Sequence, residues 1–365
     1  MGLQHHHSSS ALPVLLLTGA TGQIGRLVLR AWLEAGHEVV LTLRDPDRQW
    51  PELKRWLQSQ GAPTAQVTCV STDFGKPDLG WDARALVQLA RVTCVAHWAA
   101  MWGWRLPWRE AEAVNVNGTL RLYAWASSQG IKGPFIGVCG FKSQIPGSLA
   151  ELGMLGPDVD WADAARRLGS YEASKICAYQ SLKAAQARAN GLPVTWVHPA
   201  TVIGDEWVAE VPPQSAMAGI LQAIQGGRMR LVPGTREHMV PWVTGRYVAQ
   251  YVVALLAAQE PVTSEHVLLD PASPSLRASV EVLARAMRGP RPLGHVPKSW
   301  LAWALKWPWI SRHMGASAES LGFIVKAPPD AAASVRWGES HGVRHPDLRA
   351  SLAETARRWR EAHHA

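Results

Sequence analysis

The stretch V-L-L-L-T-G-A-T-G-Q-I-G, Val14 to Gly25, decides how the chain is read. Its apolar start predicts a strand, its glycines a turn, and the apolar positions Leu27, Val28, Trp32 and Leu33 a helix that follows at once. In such a unit Gly19 makes the tight turn, Gly22 lets a pyrophosphate approach the backbone, and Gly25 lets the helix pack close to the strand. The helix begins near Gln23, so its unbonded N–H groups and positive dipole end face the phosphates, and Thr21, Gln23 and Ile24 join the glycines as contacts. Glycines alone are weak evidence, because any turn uses them. A legible strand before and a legible helix after make this a dinucleotide-binding loop.

Four further motifs follow: H-W-A-A at His97 to Ala100, N-V-N-G-T at Asn115 to Thr119, Y-E-A-S-K at Tyr171 to Lys175 and H-P-A-T-V-I-G at His198 to Gly204. With the T-G-x-x-G-x-x-G loop, the chain resembles the extended branch of the short-chain dehydrogenase/reductase superfamily, the NAD(P)-dependent epimerase/dehydratase-like enzymes. The segment D-F-G-K-P-D-L-G-W, Asp73 to Trp81, is similar to one in the thioester-reductase-like subgroup, although Thr72 stands where the subgroup has a leading glycine. The resemblance implies an α/β fold: a Rossmann doubly wound parallel sheet with a smaller C-terminal substrate lobe. The chain then divides into a leader at 1–10, an NADP-binding domain at 11–204 to which 238–270 returns, and a lobe built from 205–237 and 271–365.

Composition bounds the remaining possibilities. A net charge of +8 over 365 residues is spread along the chain without a dense basic block, so nucleic acid is not an expected partner. The four cysteines, Cys69, Cys94, Cys139 and Cys177, lack metal-ligand spacing and fall in predicted strands or the Tyr171 helix, which reads as buried free thiols in a reducing cytoplasm, with no metal. No long apolar run predicts a membrane span and no charged-then-apolar start predicts a signal peptide; the histidines and serines of 5–10 are set aside as a tag or leader.

The second predicted strand, Val39 to Leu43, ends in Arg44, where an NAD site usually carries an acid for the ribose hydroxyl. Arg44, with Arg48 behind it, suggests a 2′-phosphate and therefore NADP. Asp73 and Phe74 follow the third strand, where the resemblance places an Asp-apolar pair against the adenine; a helix N-cap is the competing use of Asp73. After the fourth strand come His97 and the small residues Ala99 and Ala100, which permit backbone approach to the cofactor. Trp98, Trp102, Trp104 and Trp108 form an aromatic cluster that serves either core packing or the wall of an apolar substrate pocket.

Tyr171 and Lys175 are four residues apart, so a helix puts both on one face. The resemblance makes Tyr171 the general acid/base, Lys175 the cation that lowers its pKa and binds the nicotinamide ribose, and Asn115 the residue that orders a water chain to the lysine. The resembled family also has a serine or threonine directly after the fifth strand to hydrogen-bond the substrate carbonyl. Here the chain reads P-F-I-G-V-C-G-F-K-S-Q, and Ser143 is the nearest hydroxyl. His198, Pro199, Ala200 and Val202 would close over the nicotinamide.

These readings predict an NADP(H)-dependent oxidoreductase acting on the carbonyl of a hydrophobic or acyl substrate: a ketone, an aldehyde or a thioester. A nucleotide-sugar epimerase or dehydratase and a non-catalytic NADP-binding redox sensor stay as alternatives. Family members often dimerise through the helices that hold Asn115 and Tyr171, which is the expected homodimer. Near the C-terminus, K-S-W-L-A-W-A-L-K-W-P-W-I-S-R puts Trp300, Trp303, Ala304 and Trp307 on one helical face, with Pro308 stopping the helix. Peripheral membrane contact through Trp300 to Trp309, an apolar substrate tunnel and packing on the lobe are its three open uses.

Overall fold

In the computed structural model, residues 13–103, 105–189, 191–204, 207, 211–212, 215–258, 264–307, 309 and 318–364 are described. The leader at 1–10, Trp104, Pro308, Arg312 and most of the loop after Gly204 lie outside them. Seven parallel strands form the central sheet: β1 (Val14–Thr18), β2 (Glu38–Leu43), β3 (Val67–Ser71), β4 (Cys94–His97), β5 (Phe135–Val138), β6 (Val194–Pro199) and β10 (Ser264–Leu268). Their spatial order is β10-β6-β5-β4-β1-β2-β3. The chain therefore proceeds outward from β1 through β2 and β3, then returns to β4 on the other side. Ligands bind such sheets in the crevice where this reversal occurs, outside the carboxyl ends of β1 and β4.

The strands read as continuous apolar runs because both faces are covered. Leu15 and Leu17 of β1 point into one core with Val39, Leu41 and Ile136, while Leu16 points into the other with Val40, Val95 and Phe135. Gly137 interrupts β5 because a Cβ there would stand 2.7 Å from the Trp196 ring on β6. The helix Gly245–Ala257 packs across the helix Gln23–Glu34, and a Cβ on its first residue, Gly245, would be 2.6 Å from Leu27 Cδ1.

The lobe is held by two short parallel pairs, β7 (Thr201–Ile203) with β9 (Trp242–Thr244) and β8 (Leu231–Pro233) with β11 (Gly294–Val296). Its core joins the helices Ala216–Gln225, Leu276–Met287 and Leu348–His364 through Leu221, Leu283, Leu352 and Trp359. The boundaries differ from the sequence reading in two places: β7 and β9, from 11–204 and 238–270, pair in the lobe, whose core takes in Ile203 and Trp242. The helix Ala332–Ser340 does not stay with the lobe but packs beside β10, where Ser334 Oγ accepts from Val267 N at 2.9 Å and Ser334 O accepts from Tyr251 OH at 3.0 Å. It covers the end of the sheet that β10 would otherwise leave exposed. The cysteines are free; Cys94, Cys139 and Cys177 are buried and Cys69 is half-buried.

Candidate active site

The glycine loop closes tightly on the end of β1. Gly19 has φ +71°, a conformation that suits glycine, and a Cβ there would lie 2.6 Å from Ala99 N. A Cβ on Gly25 would lie 2.1 Å from Gly19 O, so the helix can approach the loop only because that Cβ is absent. Gly22 caps the helix in extended conformation, and no side chain bonds the first amides. These uncapped donors, above a bare backbone cradle, fit a dinucleotide pyrophosphate.

Behind the loop, a buried polar chain links three elements. Ala99 N donates to Thr18 Oγ1 at 3.0 Å, and His97 lies between Thr18 Oγ1 and Thr119 Oγ1, 2.8 Å from each. Thr119 Oγ1 donates to Asn115 O at 2.7 Å and so accepts from His97 Nε2–H, leaving Nδ1 to accept from Thr18. Burial, reinforced by Lys175, pushes the His97 pKa down to about 3, which keeps the ring neutral. Asn115 sits in a π-turn, Glu112–Asn117, inside a run of helix that extends from Trp108 to Ser128. Its side chain accepts from Met101 N at 2.6 Å and donates to Met101 O and to Ser174 Oγ, which itself donates to Tyr171 O. Asn115 therefore braces the Tyr171 helix against the segment after β4.

A cleft of about 560 Å³ opens at the strand-order reversal. The structure brings to it Gly19, Gly22, Gln23, Ile24 and Gly25 from the loop, Ala100, Tyr171 and Lys175, and Pro199, Ala200 and Val202 from the end of β6 onward. Trp98 and Trp102 line it too, and the Trp102 ring meets the Tyr171 ring edge-on at 6.2 Å, whereas Trp108 packs into the helical core. Of the described members of the aromatic cluster, Trp98 and Trp102 thus reach the cleft and Trp108 the core. Tyr171 lies in the first turn of the helix Ser170–Ala189, with Lys175 one turn later. Burial raises the Tyr171 pKa, with Glu172 and Cys139 adding to the rise, and burial lowers that of Lys175. The expected lowering of Tyr171 by Lys175 does not appear: burial, Glu172 and Cys139 set the direction of its shift.

Other expected residues lie elsewhere. Arg44 and Arg48 are exposed just past β2, with Arg48 Nε 4.0 Å from Asp45. Thr21 is exposed beside the loop, and Ala99 is occupied by its bond to Thr18. Asp73 is no helix cap: its carboxylate accepts from Gly75 N at 2.9 Å, and Asp73 N closes a turn onto Leu79 O. Phe74 is buried against Gly118 and the His97 ring, 5.5 Å away, so its side chain belongs to the core. Ser143 and His198, expected at the substrate carbonyl and over the nicotinamide, do not line the cleft. Ser143 Oγ donates to Gly140 O at 2.8 Å and lies 3.0 Å from His198 Nδ1. His198 is fully buried and its Nε2 lies 2.6 Å from Glu265 Oε2. Glu265 in turn bonds Tyr179 and Lys183; against its burial, the bond from His198 first and then that from Lys183 hold its pKa down at about 2. This network ties β6 to β10 below the cleft, so the Ser143 hydroxyl is unavailable to a carbonyl.

In its place the cleft presents Lys142 and Glu172, which the sequence reading missed. Lys142 Nζ is 3.4 Å from Glu172 Oε2 and 4.4 Å from the centre of the Phe323 ring. Glu172 Oε1 lies 3.5 Å from where a Cβ on Gly140 would be, so a carboxylate occupies the neighbourhood in which the resembled family keeps its hydroxyl. Their positions beside Ser143 and Tyr171 were a usable signal. Phe323 gave none, being far away in sequence.

The model of the family described as "NAD dependent epimerase/dehydratase family" matches residues 15–269. An acetoacetyl-CoA reductase of Acinetobacter sp. (strain RA3849) is 40% identical over 63 residues, a match covering 17% of this chain and only 24% of that protein's length. Among solved structures, the terminal R domain of the myxalamid PKS-NRPS biosynthetic pathway superposes with a TM-score of 0.76 at 21% identity, covering 98% of this chain and 92% of the other. A thiolation-reductase di-domain from an archaeal non-ribosomal peptide synthetase gives 0.71 at 17%, covering 97% and 76%. At these identities the two superpositions establish the fold.

Proposed function

The chain belongs to the NAD dependent epimerase/dehydratase family, and from that premise we propose that it is an NADPH-dependent reductase of a carbonyl, ketone, aldehyde or thioester, on a hydrophobic or acyl substrate. The observation that carries the reading is the convergence of Tyr171, Lys175 and the glycine loop on one largely apolar cleft. Trp98, Trp102, Val138, Phe141 and Phe323 give its wall little to offer a sugar nucleotide. The acetoacetyl-CoA reductase match and the two reductase superpositions favour acyl thioesters among the candidate substrates.

The dinucleotide would lie with its pyrophosphate on the loop Gly19–Gly25 and its nicotinamide near Pro199, Ala200 and Val202; when bound, it supplies the hydride. Arg44, exposed where an acid would serve the ribose hydroxyl, supports a 2′-phosphate and so NADP. Tyr171 keeps its proton in the buried cleft and donates it to the carbonyl oxygen as that oxygen gains charge. Lys175, behind it, holds the ribose and restores the proton. Lys142, held by Glu172, turns an N–H toward the same oxygen and does the polarising work that the Ser143 hydroxyl cannot reach.

The test is consumption of NADPH and NADH across acyl thioesters, fatty aldehydes and bulky apolar ketones, with Tyr171→Phe beside the wild type. The expected result is turnover with NADPH that drops about 10²- to 10⁴-fold in the variant, with NADPH binding retained. Binding of NADPH without turnover of any of these carbonyls would turn the reading toward the sugar-nucleotide or sensor alternatives.

A further inference from the structure

The lobe carries an apolar face that the cleft does not use. In the helix Lys298–Ala304, Leu301 and Ala302 pack inward on the lobe core and Leu305 follows them, buried. The helix ends at Ala304, before the Pro308 expected to stop it, so Trp300 and Trp303 stand outward on it and Trp307 past its end, 75%, 65% and 52% exposed. Trp309 is 65% exposed, and Leu293, just before β11, is 73% exposed. None of these side chains lines the cleft or belongs to a core cluster, so neither the tunnel nor the packing reading of the segment describes them. Large apolar side chains gathered on a surface mark a contact site.

Charge selects the occupant. Between Val282 and Trp309 the chain carries Arg285, Arg288, Arg291, Lys298 and Lys306 and no aspartate or glutamate, although the whole chain has 29 acids. Lys306, between Trp303 and Trp307, and Arg291, two residues before Leu293, are exposed. Tryptophan is the side chain that seats an apolar ring and a polar N–H at the level of lipid headgroups, and surface cations meet anionic headgroups.

We propose that this face docks the protein on the surface of an anionic lipid bilayer. The docking is peripheral: the helix has seven residues, and among the described residues no helix is long and apolar enough to cross a membrane. The helix packs against the turn Ala318–Phe323, and Lys298 Nζ donates to Ile324 O at 2.7 Å. The docked surface is thus tied to Phe323, which lines the cleft. If the proposed reduction holds, an apolar substrate has a short route from bilayer to cleft; the docking itself does not depend on it.

The test is sedimentation of the full chain with phosphatidylcholine vesicles, with and without phosphatidylglycerol, at low and high salt. Trp300→Ser/Trp303→Ser and Arg291→Glu/Lys306→Glu are compared with the wild type. The expected result is retention on the anionic vesicles that weakens with salt, falls more than about tenfold in the charge-reversed variant, and is lost in the tryptophan variant while NADPH binding stays at the wild-type level. Equal or no retention on the two vesicle types overturns the proposal, as does undiminished retention of the tryptophan variant. Wild-type dimers that the tryptophan variant abolishes, without lipid retention, would assign the face to a second copy and overturn it too.

Discussion

Tyr171 and Lys142 approach the cleft from two different segments, and their roles separate experimentally. Tyr171 has its pKa raised by burial, so it is a proton-bearing phenol throughout the neutral range. The rate of carbonyl reduction is therefore expected to stay level across neutral pH and fall only in strong alkali, whereas the reverse oxidation, which needs the phenolate, rises with pH. A reduction rate that declines already through the neutral range would contradict this assignment. Removing Lys142 with Lys142→Met should lower kcat about 10²-fold, the usual effect of losing one donor to a developing oxyanion, with NADPH affinity unchanged. Because that variant leaves Glu172 buried and unpaired, the double variant Lys142→Met/Glu172→Gln guards against a folding artefact, and Lys142→Arg should recover part of the rate. A kcat within a factor of about two of wild type in the well-folded double variant would remove Lys142 from the chemistry.

At the level of elements, the loop Gly19–Gly25 was legible because strand, turn and helix follow one another within a dozen residues and each has its own periodicity. Its close fit carries a prediction. Gly25→Ala puts a methyl 2.1 Å from Gly19 O, backbone that cannot give way without moving the turn, so it should cost about 1–3 kcal/mol of stability and abolish NADPH binding. Gly22→Ala, whose Cβ would stand 3.3 Å from the same oxygen, should do less. Thermal melts and NADPH titration check both; a Gly25→Ala protein that binds NADPH like the wild type would show that the loop does not hold the phosphates. The Asn115 segment was less legible. Asparagine near Gly118 and Thr119 reads locally as a helix start, but the π-turn exists because Asn115 must face Met101 and Ser174, contacts that no local pattern announces.

Over the whole molecule, neutral buried histidines set the acid limit of stability. Burial pushes His97 down to about 3, and His266 and His345 down to about 4. The unfolded chain protonates its histidines near pH 6.5 while the folded chain resists, so each contributes stability above that pH that is lost as pH falls through the interval. Each such group makes stability decline by about 1.4 kcal/mol per pH unit there. Urea unfolding at pH 7 and pH 5 should show the decline, with a shallower slope in His97→Gln; equal slopes would mean that His97 is not held neutral. The sequence by itself determined the strand–turn–helix around the glycine loop and the same-face pairing of Tyr171 and Lys175, because these follow from an apolar run, glycine spacing and helical period over a few neighbouring residues; the parallel sheet was implied by the family resemblance that the motifs carry. Only the tertiary structure turned Ser143 and His198 into the Glu265 network, set Lys142 between Glu172 and Phe323, laid the helix Ala332–Ser340 beside β10 and left Trp300 and Trp303 outside. Those outcomes depend on which way a side chain points once segments far apart in the chain are packed together, and that direction is fixed by burial and by the partner it finds.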